Sequence, residues 1–218
     1  MACKLKEKYK IPASLILFTP IDETLPYIHG RNDILLVAAG DRDRHLDSGQ
    51  LSRLCEKAFE GAEIMQIIEY FQSAEKEKWI AEIENCDWSA AKFLSRLLKE
   101  NKFESTLGGE GRIFLMVDGE EIVSFATLTH QDCIEDETLF PWIGFVYTAP
   151  PYRGHGYCGK VIEHACKEAG KDGHNTVYLA TDHIGLYEKY GFVYMENRQD
   201  VWGEDDRIYY RELHENAE

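Results

Sequence analysis

The chain lacks any apolar run of membrane-spanning length. Its longest, such as Leu15 to Phe18 and Ile34 to Ala39, fall far short of the roughly 20 residues a spanning helix requires, so no membrane partner is expected. No apolar signal-peptide core follows the basic start Met1-Ala2-Cys3-Lys4-Leu5-Lys6-Glu7-Lys8, which leads to the expectation of a cytoplasmic protein. Proline is scarce, at six residues, against 44% hydrophobic and 29% charged residues; that balance belongs to a folded chain and excludes a disordered one. None of the six cysteines, Cys3, Cys55, Cys86, Cys133, Cys158 and Cys166, forms a C-x-x-C pair, so neither a zinc ribbon nor a dithiol redox centre is written here. His155, Cys158, His164 and Cys166 crowd one stretch, but a helix would point His164 and Cys166 about 200° apart, and no metal is expected. Basic residues are also few, 24 against 39 acidic ones, for a formal net charge of -15. Such a surface repels phosphate backbones, which excludes nucleic acid and favours cationic small molecules or basic peptides; it also serves plain solubility.

What is present is a strand and helix alternation from about Trp79 onward. Trp79-Ile80-Ala81-Glu82-Ile83 reads as a strand. Asp87 or Ser89 can cap a helix ending near Asn101, with Ala90, Phe93, Leu94, Leu97 and Leu98 on one face. Arg112 to Val117 and Glu120 to His130 read as a hairpin turning at Asp118-Gly119. After the acidic loop Asp132 to Glu137, Trp142 to Thr148 is apolar throughout, as a strand buried on both faces would be. Val161, Ile162, Ala165, Cys166 and Ala169 then mark one buried stripe of a helix stopped at Gly170. Val177 to Ala180 reads as a strand, and Ile184 to Tyr190 as two helical turns, which Asp182-His183 would cap. Phe192 to Glu196 and Arg207 to Tyr210 read as two last strands, joined by a turn at Gly203-Glu204-Asp205-Asp206. Trp142 and Phe145 are read as core.

In the first 70 or so residues, Leu15 to Phe18, Ile34 to Ala38 and Ile64 to Tyr70 look like strands, with Gln50 to Phe59 a helix. The expected organisation is therefore an N-terminal α/β segment over 1–72, a charged junction at Ser73 to Lys78, and a second domain over 78–213. No G-x-S-x-G elbow occurs anywhere, so a serine hydrolase of that type has no nucleophile.

The run with chemical content is Tyr147-Thr148-Ala149-Pro150-Pro151-Tyr152-Arg153-Gly154-His155-Gly156-Tyr157-Cys158-Gly159. Two prolines end the strand and three glycines permit a tight turn whose N–H groups converge at a helix N-terminus, a nest for an anion such as phosphate. The Lys-Ser/Thr end of a nucleoside-triphosphate loop and a G-x-G-x-x-G are both absent.

With its flanking strand and helix, this run resembles the acyl-CoA signature of the GNAT superfamily of N-acyltransferases, Q/R-x-x-G-x-G/A. Arg153, Gly156 and Cys158 occupy the three defined places, Cys158 departing from the usual Gly or Ala. Leu186-Tyr187-Glu188-Lys189-Tyr190-Gly191-Phe192 resembles the family's L-Y-E-K-x-G-F run. The order of elements over about 140 residues is similar too.

The resemblance implies a mixed α/β (α+β) fold, a central mixed sheet flanked by helices, with the small N-terminal α/β segment outside it. It implies acetyl-CoA as acyl donor, its pyrophosphate on Arg153, Gly154, His155, Gly156, Tyr157, Cys158 and Gly159. Its pantetheine arm would lie along the backbone of Val146, Tyr147 and Thr148, where the fourth strand splays from the fifth. It implies Tyr187 as the general acid that protonates the leaving thiolate, a role open to a phenol of pKa about 10, and a backbone N–H of Val146 or Tyr147 for the oxyanion. The family often places a base carboxylate on the fourth strand, but Trp142 to Thr148 contains none; Asp132, Glu135, Glu137 and His130 are the nearby candidates.

The leading reading is an N-acetyltransferase acting on a primary amine, cationic, of a small molecule or a protein. The alternatives are a coenzyme-A-binding sensor without transfer activity, and a two-part protein whose N-terminal segment presents the substrate. The chain is compatible with a homodimer.

Overall fold

The computed structural model describes residues 65–213 in full, together with the backbone of three strands in the N-terminal part. The chain divides into two compact units, Met1–Glu63 and Ile64–Glu218. In the first, β1 (Leu15–Thr19) pairs in parallel with β3 (Ile34–Ala38), which pairs antiparallel with β2 (Ile28–Arg31). The sequence reading contained β1 and β3 but not β2; its helix across Gln50 to Phe59 lies outside the described residues.

The second unit is a seven-stranded mixed sheet. In chain order its strands are β4 (Gln66–Glu69), β5 (Arg112–Asp118), β6 (Glu121–Thr129), β7 (Trp142–Thr148), β8 (Thr176–Thr181), β9 (Val193–Gln199) and β10 (Asp205–Glu212). Across the sheet they run β4-β5-β6-β7-β8-β10-β9. β4 pairs antiparallel with β5, so residues read as part of the N-terminal segment contribute an edge strand to this unit. The β5–β6 hairpin turns at Gly119 with φ 57°, as Asp118-Gly119 predicts.

One face of the sheet is covered by α4 (Tyr157–Lys171), whose stripe of Val161, Ile162, Ala165, Cys166 and Ala169 is buried against Phe114, Ile143 and Leu179. The other is covered by α1 (Lys76–Asn85) and α2 (Ser89–Lys99), with α3 (Phe103–Leu107) alongside. The segment Trp79 to Ile83, read as a strand, is the middle of α1. Trp79 and Ile83 are four residues apart and both buried, which one helical face accomplishes; a five-residue run with apolar ends fits either period. Ser73 fixes the entry, its hydroxyl accepting from the Trp79 indole N–H at 3.0 Å and the Glu75 N–H at 3.1 Å. In α2, Trp88 is the N-cap residue and no side chain caps the helix. Asp87, read as a cap, is engaged elsewhere.

The two helical turns read across Ile184 to Tyr190 shrink to one 3₁₀ turn, Tyr187–Tyr190, which no side chain caps. Its start is set by Gly185 at φ 77°, and Asp182-His183 instead lies in a turn where the His183 N–H donates to Thr181 Oγ1 at 3.1 Å. The last hairpin turns one step earlier than read. Asp200 Oδ1 accepts the N–H groups of Trp202 and Glu204 at 2.9 and 2.8 Å, leaving Asp205 and Asp206 inside β10.

Candidate active site

The site begins where the sheet fails to close. β7 and β8 run parallel but share a single bridge, Trp142 with Tyr178, backed by the Tyr178 N–H donating to Pro141 O at 2.9 Å. Beyond that point no ladder joins them, so the rest of β7, including Val146, Tyr147 and Thr148, presents an unpaired edge. β7 also carries a bulge: Phe125 faces Tyr147 and Thr127 faces Gly144, so that Phe145 and Val146 together oppose Ala126, with Phe145 at φ 48°. The bulge resets the alternation of side chains. Phe145 packs on the α2 face and Val146 on the α4 face.

On the paired edge, the Ala149 N–H donates to Val123 O at 3.0 Å and Ser124 Oγ donates to Tyr147 O at 2.6 Å. The ladder thus turns the peptide groups of Tyr147 toward β6 and those of Thr148 toward the open edge. Thr148 O is met there by Arg153 Nε at 2.9 Å.

The loop after β7 takes the shape its sequence foretells. Pro150–Tyr152 forms a 3₁₀ turn, Gly154 and Gly156 adopt φ 83° and 75°, and Gly156 is the N-cap of α4 with no side-chain cap. The first N–H groups of α4 are therefore open to an anion. Arg153, Gly154, His155 and Gly156 are exposed and Tyr157, Cys158 and Gly159 half-buried. Arg153 folds back over the Tyr147 ring, 5.9 Å from its centroid, with Nη2 3.3 Å from Asp87 Oδ1. Gly159 serves packing, since a Cβ there would stand 2.4 Å from the Tyr190 ring. Lys160, which the sequence reading passed over, lies in the same first turn with Nζ 5.1 Å from the Tyr157 ring centroid.

Tyr187 is buried at 6% exposure and packs edge-on to Phe192 at 6.2 Å. Burial pushes its phenol well above the usual range, the Cys158, Tyr190 and Asp182 groups add to that, and a hydrogen bond with Thr181 partly offsets it. Tyr190 lies 3.3 Å from Cys158 Sγ and is raised to about 12, first by that contact and then by burial. The glycine loop and the Tyr187 turn therefore meet through Gly159, Cys158 and Tyr190, the last two 32 residues apart in sequence. In the turn itself Gly191 supplies φ 82° and Phe192 is buried core, which gives the motif's glycine and phenylalanine structural reasons.

On the opposite face of the sheet the loop between β6 and β7 lies over Gly144. Asp132 Oδ2 stands 1.9 Å from where a Cβ on Gly144 would be, and Thr127 Oγ1 3.2 Å from the same point. The Cys133 N–H donates to Asp132 Oδ1 at 2.7 Å. Although residue 132 keeps some exposure, its carboxyl group is enclosed; that desolvation raises its pKa above the usual carboxylate range against the lowering effect of Cys133, and Asp206 adds to the rise. Thr127 and Thr129 are buried, and among the described residues their hydroxyls and the Trp142 indole nitrogen have no protein hydrogen-bond partner. The other base candidates, His130, Glu135 and Glu137, are exposed. The loop is held by the Arg198 ion pair to Asp136 and by Val201 N–H to Cys133 O at 2.9 Å. The hydrogen bond from Thr138, then Arg198, lowers Asp136 to about 2. Among the described residues no cluster of three or more potential metal ligands occurs, and no helix is long and apolar enough to cross a membrane.

Residues 68–192 match the Acetyltransferase (GNAT) family. The chain belongs to that family. Its C-terminal unit has the fold of the aminoglycoside 6'-N-acetyltransferase from Enterococcus faecium, at 15% identity and TM-score 0.52, over 71% of this chain and 100% of that one. It also has the fold of a GNAT family acetyltransferase from Elizabethkingia anophelis with acetyl-CoA bound, at 16% identity and TM-score 0.50, over 68% and 98%. At such identities the likeness speaks for the fold alone. No curated protein matches the sequence.

In this acetyltransferase, Asp87 is a site residue the sequence reading assigned to helix capping. It is exposed, yet it accepts from Tyr147 Oη at 2.6 Å and pairs with Arg153. The Tyr147 hydrogen bond first, and then Arg153, hold its carboxyl below the usual range. Asp87 thus ties the α1–α2 turn to the strand and to the loop. Asp87→Ala is expected to raise KM for acetyl-CoA severalfold with kcat little changed, because Arg153 and Tyr147 lose their shared anchor while the reacting groups stay in place. Saturation kinetics in acetyl-CoA check this.

Proposed function

We propose that the protein moves an acetyl group from acetyl-CoA to a primary amine by direct attack through a tetrahedral intermediate. The observation that carries this reading is a buried phenol, Tyr187, whose turn meets the glycine loop through Tyr190 and Cys158 at 3.3 Å, in a unit where β7 has no ladder to β8 beyond Trp142. A thioester threaded from the loop along β7 would bring its sulfur to that phenol. The anion nest of Gly154, Gly156 and the start of α4 suits the pyrophosphate, and the unpaired edge of β7 suits the amides of the pantetheine arm.

For the oxyanion, Val146 is favoured over Tyr147. The ladder commits the Tyr147 peptide groups to β6, while Val146 follows the bulge on the open side. One preorganised N–H at a developing oxyanion is worth about 10²–10³ in rate. Tyr187, kept protonated by burial, then gives its proton to the departing thiolate. The net charge of -15 favours a cationic acceptor.

Release of free thiol from acetyl-CoA against a panel of primary amines, polyamines, aminoglycosides and lysine peptides among them, tests the proposal. Turnover with at least one cationic amine, and formation of its amide, is the expected result. Tight acetyl-CoA binding with no turnover on any amine would replace it with the sensor reading.

A further inference from the structure

Amide formation needs a proton acceptor that the reading above leaves unassigned. An alkylamine reaches the enzyme as R–NH3⁺ and must lose one proton before its lone pair can attack. The β7 strand offers no carboxylate. It offers a glycine instead, Gly144, and a carboxylate comes into the space a side chain would need: Asp132 Oδ2 stands 1.9 Å from where a Cβ would be. Gly144 immediately precedes the bulge at Phe145, and the cleft opens just beyond the Trp142–Tyr178 bridge.

We propose that Asp132 is the general base of this acetyltransferase, receiving the primary ammonium of the acceptor over Gly144 on the sheet face opposite Tyr187. The proposal rests on the transfer reading above.

The two faces fit the chemistry. The amine adds to one face of the planar thioester and the sulfur leaves along a different bond of the tetrahedral carbon, so base and acid need separate places. Tyr187 packs with the α4 side, next to Phe192 and Tyr209, whereas Gly144 and Asp132 lie on the side of Thr127. The groups around Asp132 also select for a donor. Asp132 Oδ2 and the buried, unpartnered Thr127 and Thr129 hydroxyls present acceptor oxygens, which a group with three N–H donors and no acceptor satisfies. Thr127 and Thr129 are buried within β6; Asp132, on the β6–β7 loop, is the ionisable member of the group and so takes the amine's proton. The titratable groups that face it are the Cys133 thiol and Asp206. The thiol, pushed up by burial and by both aspartates, stays protonated, and its Sγ donates to Asp206 Oδ2 at 3.6 Å. A carboxylate held above its ordinary range is the stronger base for it.

The protons balance as follows. R–NH3⁺ gives one proton to Asp132, and the neutral amine forms the C–N bond. On collapse the C–S bond breaks and the thiolate takes the Tyr187 proton. The amide nitrogen sheds its second proton, which restores Tyr187 through solvent, and Asp132 releases the first to water. The sum is one amide, one free thiol and one proton.

The test uses the full chain with an acceptor found by the amine panel. Asp132→Asn is expected to lower kcat by about 10²-fold at neutral pH with acetyl-CoA binding unchanged, and Glu135→Gln and Glu137→Gln to retain full activity. The wild type reaches a plateau of kcat/KM above the Asp132 pKa. The variant instead should rise with the fraction of free amine, and its defect should shrink for acceptors of lower amine pKa. A merely structural aspartate would show neither. Stability gives a readout independent of turnover. A folded pKa raised above the unfolded one contributes stability below the unfolded value that is lost as pH rises through the folded value. Asp132→Asn is therefore expected to raise Tm at pH 7–8 and to lose that advantage near pH 4. Retained kcat in Asp132→Asn, with the wild-type pH profile, overturns the base assignment alone. A wild type that binds acetyl-CoA and acetylates no amine overturns the transfer reading and the base with it.

Discussion

Replacing Tyr187 by Phe is expected to lower kcat by about 10²–10⁴-fold, the range for removal of a positioned general acid, and to leave KM for acetyl-CoA nearly unchanged. The ring's packing on Phe192 survives the change; the hydroxyl alone is lost, with its hydrogen bond to Thr181. Burial and the Cys158, Tyr190 and Asp182 groups raise the phenol's pKa, so the proton is present across the neutral range and leaves only at strongly alkaline pH. Wild-type kcat should consequently show no alkaline limb near an ordinary tyrosine pKa of about 10, whereas a solvent-exposed tyrosine acid would. With the variant, the residual rate should grow as the acyl donor's leaving thiol is made more acidic, because a better leaving group has less need of a proton. Steady-state kinetics from pH 6 to pH 10 read both effects, and full activity in Tyr187→Phe on a confirmed acceptor would remove Tyr187 from the mechanism.

The residues that were legible beforehand are those whose chemistry is local. Asp118-Gly119 fixes its hairpin because the turn asks for a positive φ there. The stripe from Val161 to Ala169 fixes α4 because one face of a helix carries it. The loop from Thr148 to Gly159 and the turn at Tyr187 are written as contiguous motifs, so the family resemblance is legible in the sequence. What escaped depended on partners far away in the chain. The segment around Trp79 satisfies strand and helix periods alike, and its burial against α2 and the sheet decides for the helix. Asp87 stands where a cap would, and only the approach of Tyr147, 60 residues on, makes it an anchor. Asp132 is one of four base candidates in the sequence, and nothing in its own segment sets it apart from Glu135, Glu137 and His130. The one local signal for it was Gly144, since an isolated glycine in a buried strand marks a bulge or a close approach, and here it marks both.

Gly144 accordingly provides the second large effect. Gly144→Val is expected to destabilise the protein by about 1–3 kcal/mol, the usual cost of forcing extra carbon into a packed interior, and to abolish most activity at the same time. The collision is with Asp132 Oδ2 at 1.9 Å and Cγ at 3.1 Å, and with Thr127 Oγ1 at 3.2 Å. The aspartate cannot simply swing aside, because Oδ1 is held by the Cys133 N–H and the loop behind it by Arg198 and Val201. The valine must displace the carboxylate, the loop, or both. Combining Gly144→Val with Asp132→Ala separates these costs. If the carboxylate is what the valine expels, the double variant recovers part of the lost stability and is no less active than Gly144→Val alone, since the base is already out of place; neighbours sharing one space give this non-additivity. Additive losses in stability and rate, measured by thermal melts and turnover of the same four proteins, would mean that Gly144 and Asp132 act separately and that the glycine serves only the bulge at Phe145.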